Sequence, residues 1–341
     1  MLVDETALKQ HIKEGPRGLY LLYGAEGYLV EQYARLLARH AVEEDFDAFN
    51  LQRFDGQEVS MEALEEAVEA LPLMAEQKCV LVRDLDAGGS QADRILELVQ
   101  ALPDTCVLVL WQMTVQPDGK KGWKTFLQYA EQHGTVAKFD RKSTEDAARM
   151  LVSGAKRRGC TLQPADARYM VEQAGNDLIL LLGELDKLSA LAEDGPITRE
   201  LIDRAGTKNL EARIYDLTKA IFARRAEEAF RLLHQLFVLR EEPLVMLGTL
   251  SNAFADVYRV KIAVAGGIRP ADLAADFKSY KGREWKLRNA ARDAAAVSVE
   301  TLRDALEILA KTDAALKSGR TDHRTLLEET VARLIGRIRE G

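Results

Sequence analysis

The chain of 341 residues is longer than one compact core usually serves and suits two or three domains. Apolar residues make up 47% and charged residues 30%, which excludes a disordered chain, and the longest apolar runs, such as 106–111, fall far short of the roughly 20 residues of a membrane helix. The net charge of −7 is uneven: residues 1–142 carry 15 basic and 24 acidic side chains, residues 211–341 carry 23 and 19, a pattern that fits either a C-terminal part facing nucleic acid or ordinary surface variation.

Residues 1–13 read as a charged helix with no apolar signal core, so a cytoplasmic protein with no membrane partner is expected. Strand-like runs at 18–23, 49–54, 78–83, 105–111 and 134–139 then alternate with helical spacing at 28–43, 60–71 and 93–102, with Ser60 as an N-cap. That alternation predicts a parallel sheet flanked by helices, an α/β domain over 1–142. After Phe139 the strand signal ends. Ser143 and Asp146 form a capping box for a helix ending near Gly159, and helices at 164–174 and 177–192 complete a predicted three-helix unit over 143–210. Helices at 211–223, 226–240, 243–265, 282–295, 299–318 and 325–340 make 211–341 an all-helical domain. Cys79, Cys106 and Cys160 stand apart in apolar surroundings and the five histidines are scattered, so neither a disulfide, a metal nor a cofactor is expected.

The segment Leu19 to Ala38 has the layout of a phosphate-binding loop: apolar strand, glycine-containing turn, helix. A working GxxxxGK[ST] loop needs a Lys for the terminal phosphates and a hydroxyl for magnesium. With Gly24 as its first glycine, Val30 and Glu31 stand in those two places, and Val30 donates nothing while Glu31 repels phosphate. The strand at 78–83 leads to Asp84, Leu85 and Asp86, without the adjacent acidic pair that holds a metal and activates water. Pairs such as Glu65 with Glu66 and Asp84 with Asp86 read as solvated acids on polar or turn positions. The sequence therefore lacks both halves of ATP chemistry.

Five short strings, in this order, resemble the DNA polymerase III delta subunit family: Tyr23-Gly24; Leu71-Pro72-Leu73-Met74; Gly175-Asn176-Asp177-Leu178 leading into Glu184-Leu185-Asp186-Lys187-Leu188; Ile214-Tyr215-Asp216-Leu217; and Asp313-Ala314-Ala315-Leu316-Lys317-Ser318-Gly319. The resemblance spans nearly the whole chain. It implies an AAA+-like first domain that has lost nucleotide binding, a small lid, and a helical collar that assembles with the gamma/tau and delta-prime clamp-loader subunits, which handle the ATP. It further implies a non-catalytic subunit of the DNA-directed DNA polymerase (nucleotidyltransferase) holoenzyme that binds and opens the beta sliding clamp for loading onto primed DNA. Alternatives of other classes are an active P-loop ATPase, against which the missing Lys and hydroxyl argue, and a nucleic-acid-binding adaptor unconnected with a clamp.

Two sets of site residues follow. Leu73 and Met74 come after a helix, and Pro72 suits the first turn of a new short helix that would hold them at a projecting corner. By pattern alone they read as core more often than as interface; by resemblance they are the clamp-binding wedge. In that family Phe commonly takes the place of Met74 and a basic residue follows, where this chain has Gln77 and Lys78. Residues 278–292 hold six basic residues against one acid, together with Tyr280 and Trp285. On a helix, Lys281, Trp285, Arg288 and Arg292 gather within about 60° of one another, opposite Leu287, Ala290, Ala291 and Ala294. That face contacts DNA, or Trp285 packs against a neighbouring helix.

Overall fold

The computed structural model describes residues 1–277, 280, 284–295, 297–319 and 322–340. Its backbone separates into two units, Met1–Lys142 and Ser143–Gly341.

The first unit runs β1 (Leu2–Val3), α1 (Glu5–Glu14), β2 (Leu19–Tyr23), α2 (Gly27–Ala41), α3 (Asp47–Asn50), β3 (Leu51–Asp55), α4 (Met61–Glu69), β4 (Lys78–Arg83), α5 (Ala92–Gln100), β5 (Cys106–Trp111), α6 (Lys121–His133) and β6 (Thr135–Lys138). The strands form one parallel sheet in the order β1-β6-β2-β5-β4-β3. Strands β2, β4 and β5 are buried almost throughout because helices cover both faces, which is why they read as unbroken apolar runs. On one face Leu21, Val80, Val82, Leu108 and Leu110 meet Leu64 of α4, Ile95 of α5 and Trp123 and Phe126 of α6. Helix α2 packs on β2, β4 and β5 and buries Val30, Tyr33 and Leu37. Burial pushes the thiols of Cys79 and Cys106 up to about 12 and about 11, which leaves them as packing groups.

Four features depart from the sequence reading. Strand β1 and helix α6 carry no signal there. Phe49, expected in a strand, lies in the single turn α3, and β3 begins only at Leu51. The expected helix 60–71 ends at Glu69.

The second unit runs α7 (Thr144–Arg157), β7 (Thr161–Leu162), α8 (Pro164–Ala174), α9 (Leu178–Ala192), β8 (Pro196–Ile197), α10 (Arg199–Ala205), α11 (Leu210–Phe222), α12 (Ala226–Val238), α13 (Pro243–Ala265), α14 (Leu273–Asp276), α15 (Glu284–Ala294), α16 (Val299–Ser318) and α17 (His323–Glu340). Side-chain caps start many of these helices: Ser143, Asp177, Thr198, Asn209 and Ser298 each accept a first-turn amide. Residues 143–210 hold more than three helices, since the seven-residue α10 joins α7, α8 and α9, and β7 pairs with β8 in a parallel ladder. In the rest of the unit α13 is central, packing on α11, α15 and α16 through Leu250, Phe254, Val257, Leu287, Leu302 and Leu309.

Candidate functional site

Ligands of open parallel sheets bind beyond the carboxyl ends of the strands, where β2 meets the loop to α2. Gly24 there has φ +132, and an added Cβ would lie 2.3 Å from the carbonyl oxygen of Phe139. Its freedom serves close contact with the end of β6, which Glu26 N–H reinforces by donating to the Phe139 carbonyl at 2.9 Å. Val30 is fully buried against the sheet, and Glu31 pairs with Arg35 one turn along α2 at 2.5 Å. The Glu26 carboxylate, buried at the start of α2, lies 3.8 Å from Arg141. A side chain of the protein's own charge thus stands at the helix end where a phosphate would gather amides.

The second half of nucleotide chemistry is diverted as well. Asp84 follows β4 with φ +55, and one carboxylate oxygen, Oδ1, accepts the backbone N–H groups of Met113 at 2.6 Å, Thr114 at 2.7 Å and Val115 at 3.0 Å. Oδ2 is 3.8 Å from Nε of Arg83. Asp84 is therefore buried, correcting its reading as a solvated turn acid: a carboxylate that satisfies three consecutive amides is withdrawn from water by them. Asp86 is exposed and accepts from Trp123 Nε1 and the amide of Gly88, both at 3.1 Å. Glu65 binds Arg94 through both oxygens, at 2.6 and 2.7 Å, and Glu66 faces solvent.

Between α4 and β4 stand the two most exposed large apolar side chains among the described residues, Leu71 at 83% and Met74 at 81%. Leu73 between them is 52% exposed, and Phe49, next to Asn50 in α3, is 65% exposed. The short helix expected from Pro72 is absent. Residues 73–76 form bends instead, because both polar groups of Leu73's backbone are bonded to a distant side chain, Asn50, and Met74 takes φ +55, outside any right-handed helix. Nor does a basic group project beside Met74. Gln77 donates to the Ala41 carbonyl at 2.8 Å, while Lys78 is buried and donates to the Ala67 carbonyl of α4 at 2.6 Å, burial pushing its ammonium below the ordinary lysine value.

The cationic face of the second unit is only partly open. Lys281 lies outside the described residues. Trp285 is half-buried, its ring edge-on to Tyr215 of α11 with centroids 4.9 Å apart, so it packs on a neighbouring helix and does not stand clear among the cations. Lys286 pairs with Glu211, and Arg288, with a 69% exposed side chain, reaches Glu172 at 3.3 Å. Arg292 is exposed and donates to Asn289 Oδ1 at 3.2 Å. Leu287, Ala290 and Ala294 face the core as the helical spacing requires.

Two family profiles match this architecture in order: the DNA polymerase III delta subunit over residues 20–139, and the C-terminal domain of the DNA polymerase III delta subunit over residues 211–334. The chain belongs to the DNA polymerase III delta subunit family. It is 24% identical over 330 residues to DNA polymerase III subunit delta of Bacillus subtilis strain 168, covering 94% of this chain and 93% of that one. With DNA polymerase III subunit delta of Escherichia coli K12 it shares 23% over 317 residues, 91% and 89% of the two chains. The solved Bacillus subtilis DNA clamp loader delta protein superposes with a TM-score of 0.56 at 22% identity, covering 97% and 99%, and so shares the fold. The delta subunit is thus a component of DNA polymerase III, and a parallel-sheet α/β unit followed by helices is the class its sequence predicts.

The family resemblance, not the pattern of apolar residues, singled out Leu73 and Met74, and the structural roles of two residues that fix local geometry, Asn50 and Asp84, escaped both. Their partners lie 23 and 29 to 31 residues away, beyond any local motif.

Proposed function

We propose that this delta subunit binds the beta sliding clamp through Leu73 and Met74 and favours an opened ring, the lid over 143–210 and the collar over 211–341 joining it to gamma/tau and delta-prime subunits in the cytoplasm. The supporting observation is the turn itself: apolar side chains held in water at a fixed corner, left uncovered by the rest of the first unit. ATP is bound by the neighbouring subunits, since Val30, Glu31 and Asp84 are committed to the core, an ion pair and three amides. Docking opens the ring only to the extent that the wedge binds the distorted clamp interface more tightly than the closed one. Arg288 and Arg292, with Lys281 and Trp285 nearby in sequence, form the DNA-facing part of the reading, the cations pairing with phosphates of primed DNA.

The test mixes the purified chain with a bacterial sliding clamp, measuring binding by surface plasmon resonance and opening by fluorescence across a clamp interface. Full burial of a Leu or Met side chain is worth about 1.5–3 kcal/mol, so covering the exposed 52% and 81% gives roughly 2–4 kcal/mol together. Leu73→Ala/Met74→Ala should then weaken binding roughly 30- to 700-fold while the chain stays folded. Wild-type affinity in the folded double variant would end this assignment.

A further inference from the structure

Asn50 ends α3 and is 2% exposed, an uncommon setting for a carboxamide. Both of its polar atoms are used. Its Nδ2 donates to the carbonyl of Leu73 at 2.8 Å and to that of Phe46 at 3.2 Å, and its Oδ1 accepts the amide of Leu73 at 2.7 Å. The two bonds to Leu73 run in opposite directions between the same two groups, as between residues of paired strands, so they fix the Leu73 backbone in position and in orientation. The next residue, Met74, sits at φ +55, a conformation that a non-glycine side chain adopts at a cost and only where the surroundings impose it. No other side-chain bond to the backbone of residues 71–76 is seen among the described residues.

We propose that Asn50 is a positioning residue for clamp binding: its carboxamide holds the Leu73–Met74 turn in the shape that presents both side chains before the clamp arrives. The inference rests on the wedge reading above. It places the specificity of the wedge partly in a residue that never touches the partner, because a turn ordered in advance does not lose its freedom on docking. Asn suits the role alone among the residues of its size. Leu would fill the space and bond nothing, and Asp would accept the Leu73 amide but set a negative oxygen against the Leu73 carbonyl.

The experiment is a binding cycle with the full chain and a bacterial sliding clamp, well below the unfolding midpoint of each variant. Asn50→Ala should lower affinity about 10-fold, the effect of having to order two side chains and a peptide group on docking. In a Met74→Ala background the same change should matter less than about 3-fold, because the group being positioned is gone. An equal loss in both backgrounds means Asn50 acts through the fold at large, and unchanged affinity in Asn50→Ala means it positions nothing; either result overturns the proposal. If Leu73→Ala/Met74→Ala itself binds like the wild type, the wedge reading fails first, and that outcome is read separately. Should Asn50→Ala not fold, Asn50→Asp replaces it. Once protonated, the carboxyl in this variant can donate to the Leu73 carbonyl as the amide does, so its affinity relative to wild type should recover as pH falls, and a ratio flat with pH counts against the proposal.

Discussion

Replacing Asp84 by Asn separates the reading of that residue as a structural acceptor from its reading as a remnant of ATP chemistry. Asn keeps the shape, one acceptor oxygen and a tolerance for φ +55, so the change is almost purely electrostatic. Hydrogen bonds to a charged group contribute about 1.5–3 kcal/mol each and neutral ones about half as much, so neutralising the acceptor of three amides should cost roughly 2–4 kcal/mol. In a unit of this size that is a fall of about 5 to 12 °C in its unfolding midpoint. Because the chain has two units, the local readout matters more: hydrogen exchange at the amides of Met113, Thr114 and Val115 should accelerate while that of the second unit does not. In an ATPase the same substitution would typically spare stability and block turnover; on the reading proposed above, the isolated wild-type chain should show no ATP affinity in the micromolar range by equilibrium titration. Unaltered protection at residues 113–115, or micromolar ATP binding by the wild type, would refute the reasoning.

Glu5 gives a pH prediction: burial alone would raise its carboxyl, but hydrogen bonds from Lys142, Lys9 and Tyr33 outweigh it and hold it at about 2. Its folded value lies below the unfolded one, so its stabilisation is complete above about pH 4.5 and is lost as pH falls from there toward 2, about 1–2 kcal/mol after allowing for partial exposure. Glu5→Gln should flatten the acid limb of stability across that window, and a limb identical to wild type rejects the assignment. For the cationic face, Arg288→Ala and Arg292→Ala in the assembled loader should each reduce the logarithmic salt slope of DNA binding by about 0.7–0.9, and unchanged affinity with an unchanged slope ends the DNA contact. Trp285→Ala should instead register in the thermal stability of the second unit, by about 1 kcal/mol or more, through lost contact with Tyr215; a variant as stable as wild type would show that this ring contact contributes little.

The sheet was legible because β2, β4 and β5 are covered on both faces, and total burial writes itself as an apolar run. Strand β1, with two residues, is too short to carry a period, and α6 begins among lysines and glycines that mask the spacing of Trp123, Phe126 and Ala130. Helix α10 is missed for its seven residues. Errors at the sites have a different origin. Pro72 does favour a helical first turn, but the hydrogen bonds such a turn needs are pre-empted by Asn50, a tertiary contact that outweighs local propensity. Asp84 and Asp86 look alike in sequence and are opposite in the fold, since only the first finds three amides to replace its water. For Trp285, what a helical wheel cannot contain is Tyr215 on another helix.

Strand β4 has a mechanical consequence. The exposed turn runs directly into Lys78, and from there to Arg83 the strand is paired with β5 along its whole length and with β3 from Cys79 onward. Tension applied to the turn along the strand, over about 20 Å of ladder, pulls on both rows of hydrogen bonds in parallel, so they share the strain and do not open one after another. A hairpin tip at a sheet edge would instead unzip. The buried Lys78 bolts the same strand to the end of α4, and at its far end Asp84 ties it to the 113–115 loop. The turn can therefore transmit a pull into the middle of the sheet as a stiff rod does, without first being drawn out of the protein that carries it.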